Sequence, residues 1–221
     1  MPGCSTGEEA YSIAIALVEY LEDQGLINPI QIFGTDLNTK VIDIARRGSY
    51  SENITQDVSA ERLRRFFTKM NRGYQINKEI RDLCIFAPQN VFNDPPFSQM
   101  DFISCRNVLI YLGAVLQRKV IPIFHYALKA TGYLMLGSSE SVGSFVDLFT
   151  LLDKKHKIYL RKALQTPLKF DFYPDSSRLI ATGLENNGPM DIAKDSSGNG
   201  FDVQTLTWVT ASGIFPPYGF C

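Results

Sequence analysis

Extended and helix-periodic stretches alternate along this chain, and the alternation leaves few architectures open. Ala10, Ile13, Ala14, Leu17, Val18 and Leu21 recur at near-helical spacing between a small-residue loop and Gly25. Ile30-Gln31-Ile32-Phe33-Gly34-Thr35 follows as a β-rich run ending in Asp36, and a helix is predicted over residues 40–47, closed by Gly48. Farther on, Phe102-Ile103-Ser104 forms a strand-like run that ends at Cys105-Arg106-Asn107. A helical pattern over residues 115–130 then leads through Gly132 into the strand Tyr133-Leu134-Met135-Leu136. Strands that alternate with helices predict a mostly parallel α/β sheet, because a parallel pair needs a crossover and a helix is its compact form. Pro122 removes one backbone bond from the last helix and predicts a kink.

Residues 49–83 break the alternation and read as an insertion. Leu63, Phe66, Phe67 and Met70 share one stripe of a helix predicted over residues 60–70, followed by Asn71-Arg72-Gly73 and a short extended run. From Arg46 to Arg81, nine basic residues (Arg46, Arg47, Arg62, Arg64, Arg65, Lys69, Arg72, Lys78, Arg81) stand against four acidic ones (Glu52, Asp57, Glu61, Glu79). A solvated helix face accounts for such a run, and docking of an acidic protein partner is the other reading. The excess is local: the whole chain carries a net charge of −1, so no field drives it onto a phosphate backbone, and nucleic acid is not expected as a partner.

With 221 residues, 45% of them hydrophobic, the chain is long enough for one main domain, expected over residues 1–162. A linker and tail are expected over 163–221: residues 175–200 are rich in Ser, Asn, Gly and Asp, and Leu206, Trp208, Val209 and Phe215 return in a stretch too short for a domain. No apolar run approaches the roughly 18 residues of a membrane span, and no secretory signal opens the chain, so no membrane insertion is expected. Cys4, Cys84, Cys105 and Cys221 have no C-x-x-C spacing, and His125 and His156 are the only histidines. No metal site or disulfide framework is expected, and a reducing cytoplasm is the simpler location.

Four stretches carry candidate chemistry, three of them where strands of an open α/β sheet should end and hold ligands. Gly3-Cys4-Ser5-Thr6-Gly7-Glu8-Glu9 permits close backbone approach before a helix. It has neither the G-x-G-x-x-G spacing nor a P-loop Lys, and a tight helix-entry turn with acids at the positive helix end explains it equally. Asp36 closes the next strand, where a carboxylate accepts both hydroxyls of a ribose or, alternatively, caps the following helix. Asn90 offers an amide to an adenine edge beside Val91 and Phe92, or serves a turn. In Cys105-Arg106-Asn107-Val108-Leu109-Ile110-Tyr111 an Arg, the natural clamp for a carboxylate, and an Asn follow a strand directly, with a Tyr four residues later; a surface Arg and a core-supporting Tyr are the other reading.

Taken together, Gly3-Cys4-Ser5-Thr6-Gly7-Glu8-Glu9-Ala10-Tyr11-Ser12, Thr35-Asp36-Leu37-Asn38, the 105–111 string and Gly137-Ser138-Ser139-Glu140 resemble the CheR family of chemotaxis receptor methyltransferases, over about residues 3–160. The resemblance implies a Rossmann-like class I methyltransferase sheet with helices on both faces. It also implies transfer of a methyl group from S-adenosylmethionine to a glutamate on the cytoplasmic region of a chemoreceptor, giving a methyl ester and S-adenosylhomocysteine. Carried over by motif, Glu9 and the loop with Gly3, Ser5 and Gly7 hold the amino-acid end of the cofactor, Asp36 its ribose, and Asn90 with Val91 its adenine side. Arg106 and Asn107 lie at the methyl end, with Arg106 orienting the substrate carboxylate and Tyr111 flanking the reaction centre.

Family members have a helical N-terminal domain and a first sheet strand running into Gly3, and this chain begins at Met1-Pro2, so a sheet lacking its first strand and weak activity in isolation are expected. The insertion stands where some members carry a small β-subdomain that grips a receptor tail, although its strand pattern is thin. The stretch after Arg161 resembles the linker of proteins that fuse this domain to methylesterase and sensor modules. Two rivals remain: a nicotinamide dehydrogenase, against which the broken glycine spacing stands, and a truncated cofactor-binding or receptor-docking module without turnover.

Overall fold

The computed structural model describes residues 1–164; most of the expected linker and tail, with Trp208 and Phe215, lies outside the described residues. Helix α1 (Glu8–Asp23) buries Ala10, Tyr11, Ile13, Ala14, Ile15, Ala16 and Leu17. That buried arc is wider than one stripe because α1 serves two clusters, Tyr11 and Ile15 facing one and Ile13 and Leu17 the other. Strand β1 (Ile32–Asp36) runs on into α2 (Thr39–Arg47), where the Asn38 side chain accepts from the Lys40 N–H and Gly48, at φ +57°, closes the helix.

Five further strands and one more helix complete the α/β core. Strand β5 (Cys84–Pro88) pairs in parallel with β1, from Ile32 opposite Cys84 to Asp36 opposite Pro88. Strand β6 (Met100–Cys105) pairs in parallel with β7 (Leu128–Leu136), and α5 (Ala114–Ala127) lies between them in sequence. The mostly parallel expectation holds for these pairs, but the rim is antiparallel: β9 (Ile158–Arg161) pairs with β7, and β8 (Phe149–Asp153) with β9. Helix α5 runs through Pro122 and stops at Ala127, three residues earlier than predicted. Leu128 instead pairs with Met100, and Lys129 reaches Asp101 at 2.8 Å, so pairing to β6 overrides the helical period at this end.

The two parallel pairs share no ladder. Between β1 and β6 lies a groove of about 290 Å³ whose lining includes Ile13, Leu17, Ile32, Ile103, Ile123 and Phe124. Its β1 side is partly covered by the first residues: Thr35 N–H donates to the Met1 carbonyl at 2.9 Å, Cys4 N–H to the Thr35 carbonyl at 2.9 Å, and Pro2 bridges Thr35 in the parallel sense.

The insertion differs from its prediction. Helix α3 (Ala60–Phe66) ends where β3 (Phe67–Met70) begins, and β3, β4 (Gly73–Ile76) and β2 (Ser49–Tyr50) form an antiparallel sheet in the order β2-β4-β3. Leu63, Phe66 and Phe67 fit a helical period, but the turn at Asn71-Arg72 with Gly73 at φ +121° folds the chain back as a hairpin. The thin strand pattern therefore understated the β content. The basic excess is largely neutralised: Arg62 pairs with Glu19 at 2.7 Å, Lys69 with Glu52 at 2.8 Å, Arg65 with Glu22 and Lys78 with Asp82, the last a pair within helix α4 (Lys78–Asp82). A Cβ on Gly73 would collide with the Tyr50 carbonyl. Gly73→Ala is expected to destabilise this sheet by about 2–3 kcal/mol, from the positive φ and the collision together, seen as faster hydrogen exchange in β2–β4 than in β6–β7.

His125, on α5, is 2% exposed and donates from Nε2 to the Lys162 carbonyl at 2.8 Å, with the Phe149 ring edge-on at 5.6 Å. Arg161 Nε donates to the His125 carbonyl at 2.8 Å, so the last strand is clamped to α5. Burial pushes the His125 pKa below the ordinary 6.5, with Arg161 adding to the shift and the Lys162 carbonyl opposing it. The unfolded chain therefore binds the proton first, and His125 makes folding stability fall as pH drops below about 6.5. In His125→Gln, thermal midpoints measured between pH 7.5 and 5.5 should fall less steeply than in the parent.

Candidate active site

The loop at residues 3–7 and the end of β1 meet through Asp36. Its Oδ2 accepts from the Ser5 N–H at 3.0 Å and its Oδ1 from the Asn38 N–H at 2.9 Å. Gly3, Ser5 and Gly7 all have positive φ, at +69°, +48° and +91°, which turns the loop tightly into the N-cap of α1. A Cβ on Gly3 would stand 2.5 Å from Val108 Cγ2, so glycine lets this loop lie against the 105–111 segment. The insertion braces the loop from behind: Tyr50 Oη donates to the Thr6 carbonyl at 3.0 Å.

The second half of the site follows β6. Ser104 Oγ donates to Glu9 Oε1 at 2.6 Å, and Arg106 Nη1 stands 3.4 Å from Glu9 Oε2. Burial pushes the Glu9 carboxyl above the usual carboxylate range, while Arg106 and the Ser104 hydroxyl pull the other way. The 105–111 segment is tied to the end of β7 by Glu140, whose carboxylate accepts from Asn107 N–H at 3.0 Å and Leu109 N–H at 2.7 Å. Tyr111 ends a 3-10 turn (Leu109–Tyr111) and is 68% exposed.

The third element is the turn after β5. Gln89 N–H donates to the Asp36 carbonyl at 3.0 Å, which holds the start of that turn beside Asp36. Asn90 uses its side-chain oxygen within the turn, accepting from the Phe92 N–H at 3.0 Å, so its NH₂ is the group left to address a ligand. Val91 lines the groove between β1 and β6.

Thus Gly3, Ser5, Gly7 and Asp36 form one unit, Glu9 with Arg106 a second, and Asn107 is anchored through its backbone beside them. Two residues given no role from the sequence belong here, one of them, Glu140, already part of the 137–140 string. Ser104 is a small strand-end residue with no signal beyond its position; Glu140, an acid just past the end of β7, stands where a ligand-side residue is sought in such sheets.

S-adenosylmethionine carries an α-ammonium, an α-carboxylate and a ribose diol, and the donor set suits it. The positive-φ loop brings backbone close, Asp36 has carboxylate lone pairs beyond its two N–H partners, and Glu9 supplies an anion for an ammonium. Burial raises the thiols of both Cys4 and Cys84 to about 12, so neither is a thiolate near neutrality.

Residues 2–158 match the family described as CheR methyltransferase, SAM binding domain. An uncharacterised 104.1 kDa protein of Rhodobacter capsulatus is 40% identical over 157 residues, 71% of this chain and 16% of that protein. A putative methyltransferase, Cher3, of Pseudomonas putida is 36% identical, over 71% of this chain and 60% of its own length. A chemotaxis protein methyltransferase of Vibrio parahaemolyticus is 33% identical, over 67% and 55%. The chain thus spans a little over half the length of these two methyltransferases. Among solved structures, a TehB-like SAM-dependent methyltransferase of Corynebacterium glutamicum is similar at a TM-score of 0.38 and 16% identity, over 72% of this chain and 75% of that one.

Proposed function

This chain belongs to the CheR methyltransferase family, whose SAM-binding domain it carries, and from that premise we propose that it methylates glutamate side chains of chemoreceptor cytoplasmic regions. The observation that carries the reading is the convergence of the Asp36-bound glycine loop with the Glu9–Arg106 pair where the parallel strands end. Asp36 takes the ribose hydroxyls, Glu9 the ammonium of the amino-acid end, and Asn90 with Val91 borders the adenine. Arg106 and Asn107 stand at the methyl end, and exposed Tyr111 forms the wall that meets the incoming receptor segment.

When bound, S-adenosylmethionine supplies a sulfonium methyl whose C–S bond breaks as a carboxylate oxygen of the substrate forms the O–CH₃ bond, the electron pair staying on sulfur. The attacking carboxylate is already ionised at neutral pH, so no side chain has to remove a proton. The protein's task is alignment and exclusion of water. Arg106 orients the substrate carboxylate, and its existing pair with Glu9 limits how tightly it grips. A full ion pair would stabilise the reactant more than the transition state, in which carboxylate charge is being lost.

The same reading places the reaction in the cytoplasm, with fused methylesterase and sensor modules as neighbours in a longer protein. A second reading, a cofactor-binding or receptor-docking module without turnover, draws on the absence of a shared ladder between the β1-β5 and β6-β7 pairs among the described residues. The two separate on one assay: tritiated S-adenosylmethionine is incubated with the chain and a receptor cytoplasmic fragment. Label in the fragment that alkali releases as methanol supports glutamyl ester formation. Cofactor binding without such label supports the module.

A further inference from the structure

We propose that Glu140 is a positioning residue for methyl transfer, setting the 106–111 segment from beneath through backbone bonds; the proposal rests on the methyltransferase reading above. Its side chain is buried, 5% exposed, at the turn after β7. Oε2 accepts from the N–H groups of Gly137 at 2.6 Å and Asn107 at 3.0 Å, and Oε1 from those of Leu109 at 2.7 Å and Ile110 at 3.3 Å. One carboxylate thus joins the ends of two neighbouring parallel strands and gathers three amides of the segment that carries Arg106 and Tyr111.

The local backbone is shaped around that carboxylate. Asn107 has φ +57°, a conformation that disfavours a residue with a Cβ and persists where its surroundings hold it. A Cβ on Gly137 would stand 2.6 Å from Glu140 Oε2 and 2.7 Å from Asn107 Oδ1, so the turn closes on Glu140 because residue 137 is glycine. Charge-assisted N–H bonds to a buried carboxylate are stronger than neutral ones, and an amide in its place turns an NH₂ toward donors. Arg106 is therefore held from two sides: its guanidinium by Glu9 at 3.4 Å, and the backbone of the next residue by Glu140. Glu140 addresses backbone amides in these bonds, so its effect on the reaction passes through the placement of Arg106 and Asn107.

The test compares the full chain with Glu140→Gln and Gly137→Ala, the second displacing the carboxylate without removing it. Three readouts are taken: hydrogen exchange at the amides of 107, 109, 110 and 137, the dissociation constant for S-adenosylhomocysteine, and kcat for methyl transfer to a receptor fragment. The proposal expects at least tenfold faster exchange at those amides against unchanged exchange in β6 and β7. It expects kcat to fall roughly a hundredfold, as for a misplaced reactive group, while the dissociation constant moves by about threefold or less. If Glu140→Gln does not fold, Gly137→Ala decides. Protected amides, or an unchanged kcat in a folded variant, overturn the proposal while leaving the methyltransferase reading intact. A parent chain that binds cofactor but transfers no methyl group overturns that reading, and the positioning role with it.

Discussion

Asp36→Ala should weaken cofactor binding by roughly 10- to 100-fold, the loss of about 1.5–3 kcal/mol that accompanies removal of a charged hydrogen-bonding partner. Part of that loss arises indirectly, because Asp36 also accepts from the Ser5 and Asn38 N–H groups and so shapes the loop it serves. Asp36→Asn separates the contributions. The amide keeps one acceptor for the loop and loses the charge and the second acceptor that the ribose diol needs. Equilibrium dialysis with labelled S-adenosylmethionine should rank parent, Asn and Ala in that order. Equal affinities in folded proteins would remove Asp36 from the site.

Arg106→Ala should lower methyl transfer by about two orders of magnitude, on the scale of losing a positioning contact, with a smaller loss of cofactor affinity. The structure adds a second expectation. Glu9 is held above the ordinary carboxylate range by burial, and Arg106 opposes that shift. Without Arg106 the Glu9 carboxyl moves further up, so its anion is lost at higher pH than in the parent. Cofactor binding by Arg106→Ala should therefore weaken at higher pH than in the parent as the solution is acidified, whereas Arg106→Lys keeps the charge and restores most of the parent's profile while losing the planar fork. Binding profiles parallel to the parent's in Arg106→Ala would show that the Glu9–Arg106 pair does not govern the cofactor end of the site.

What could be read from the sequence was local. Hydrophobic period located α1, β1 and α2, and the position of Asp36 at a strand end marked it before any fold was drawn. The insertion defeated the same method, because Leu63, Phe66 and Phe67 satisfy a helix period up to the point where the Gly73 turn and pairing with β4 decide the matter. Its charge misled for a related reason: the acids that pair with Arg62 and Arg65 are Glu19 and Glu22 on α1, outside any window drawn around the insertion. The Glu9–Ser104 bond joins residues 95 positions apart. The sequence offered Glu9 and Arg106 as separate candidates with separate roles, and tertiary structure made them one ion pair. Asn90 had two readings, and its side-chain oxygen serves the turn while its NH₂ stays available for the other.

Methyl transfer by this chain depends first on capture of an adenosyl sulfur cofactor by the proposed site at the glycine loop and Asp36. Calorimetric titration of the full chain with S-adenosylhomocysteine, and in parallel with NAD, tests it most directly. One site for S-adenosylhomocysteine in the micromolar range, about −8 kcal/mol, and no heat from NAD are expected. A folded chain that takes up NAD, or that gives no heat with S-adenosylhomocysteine, would contradict it.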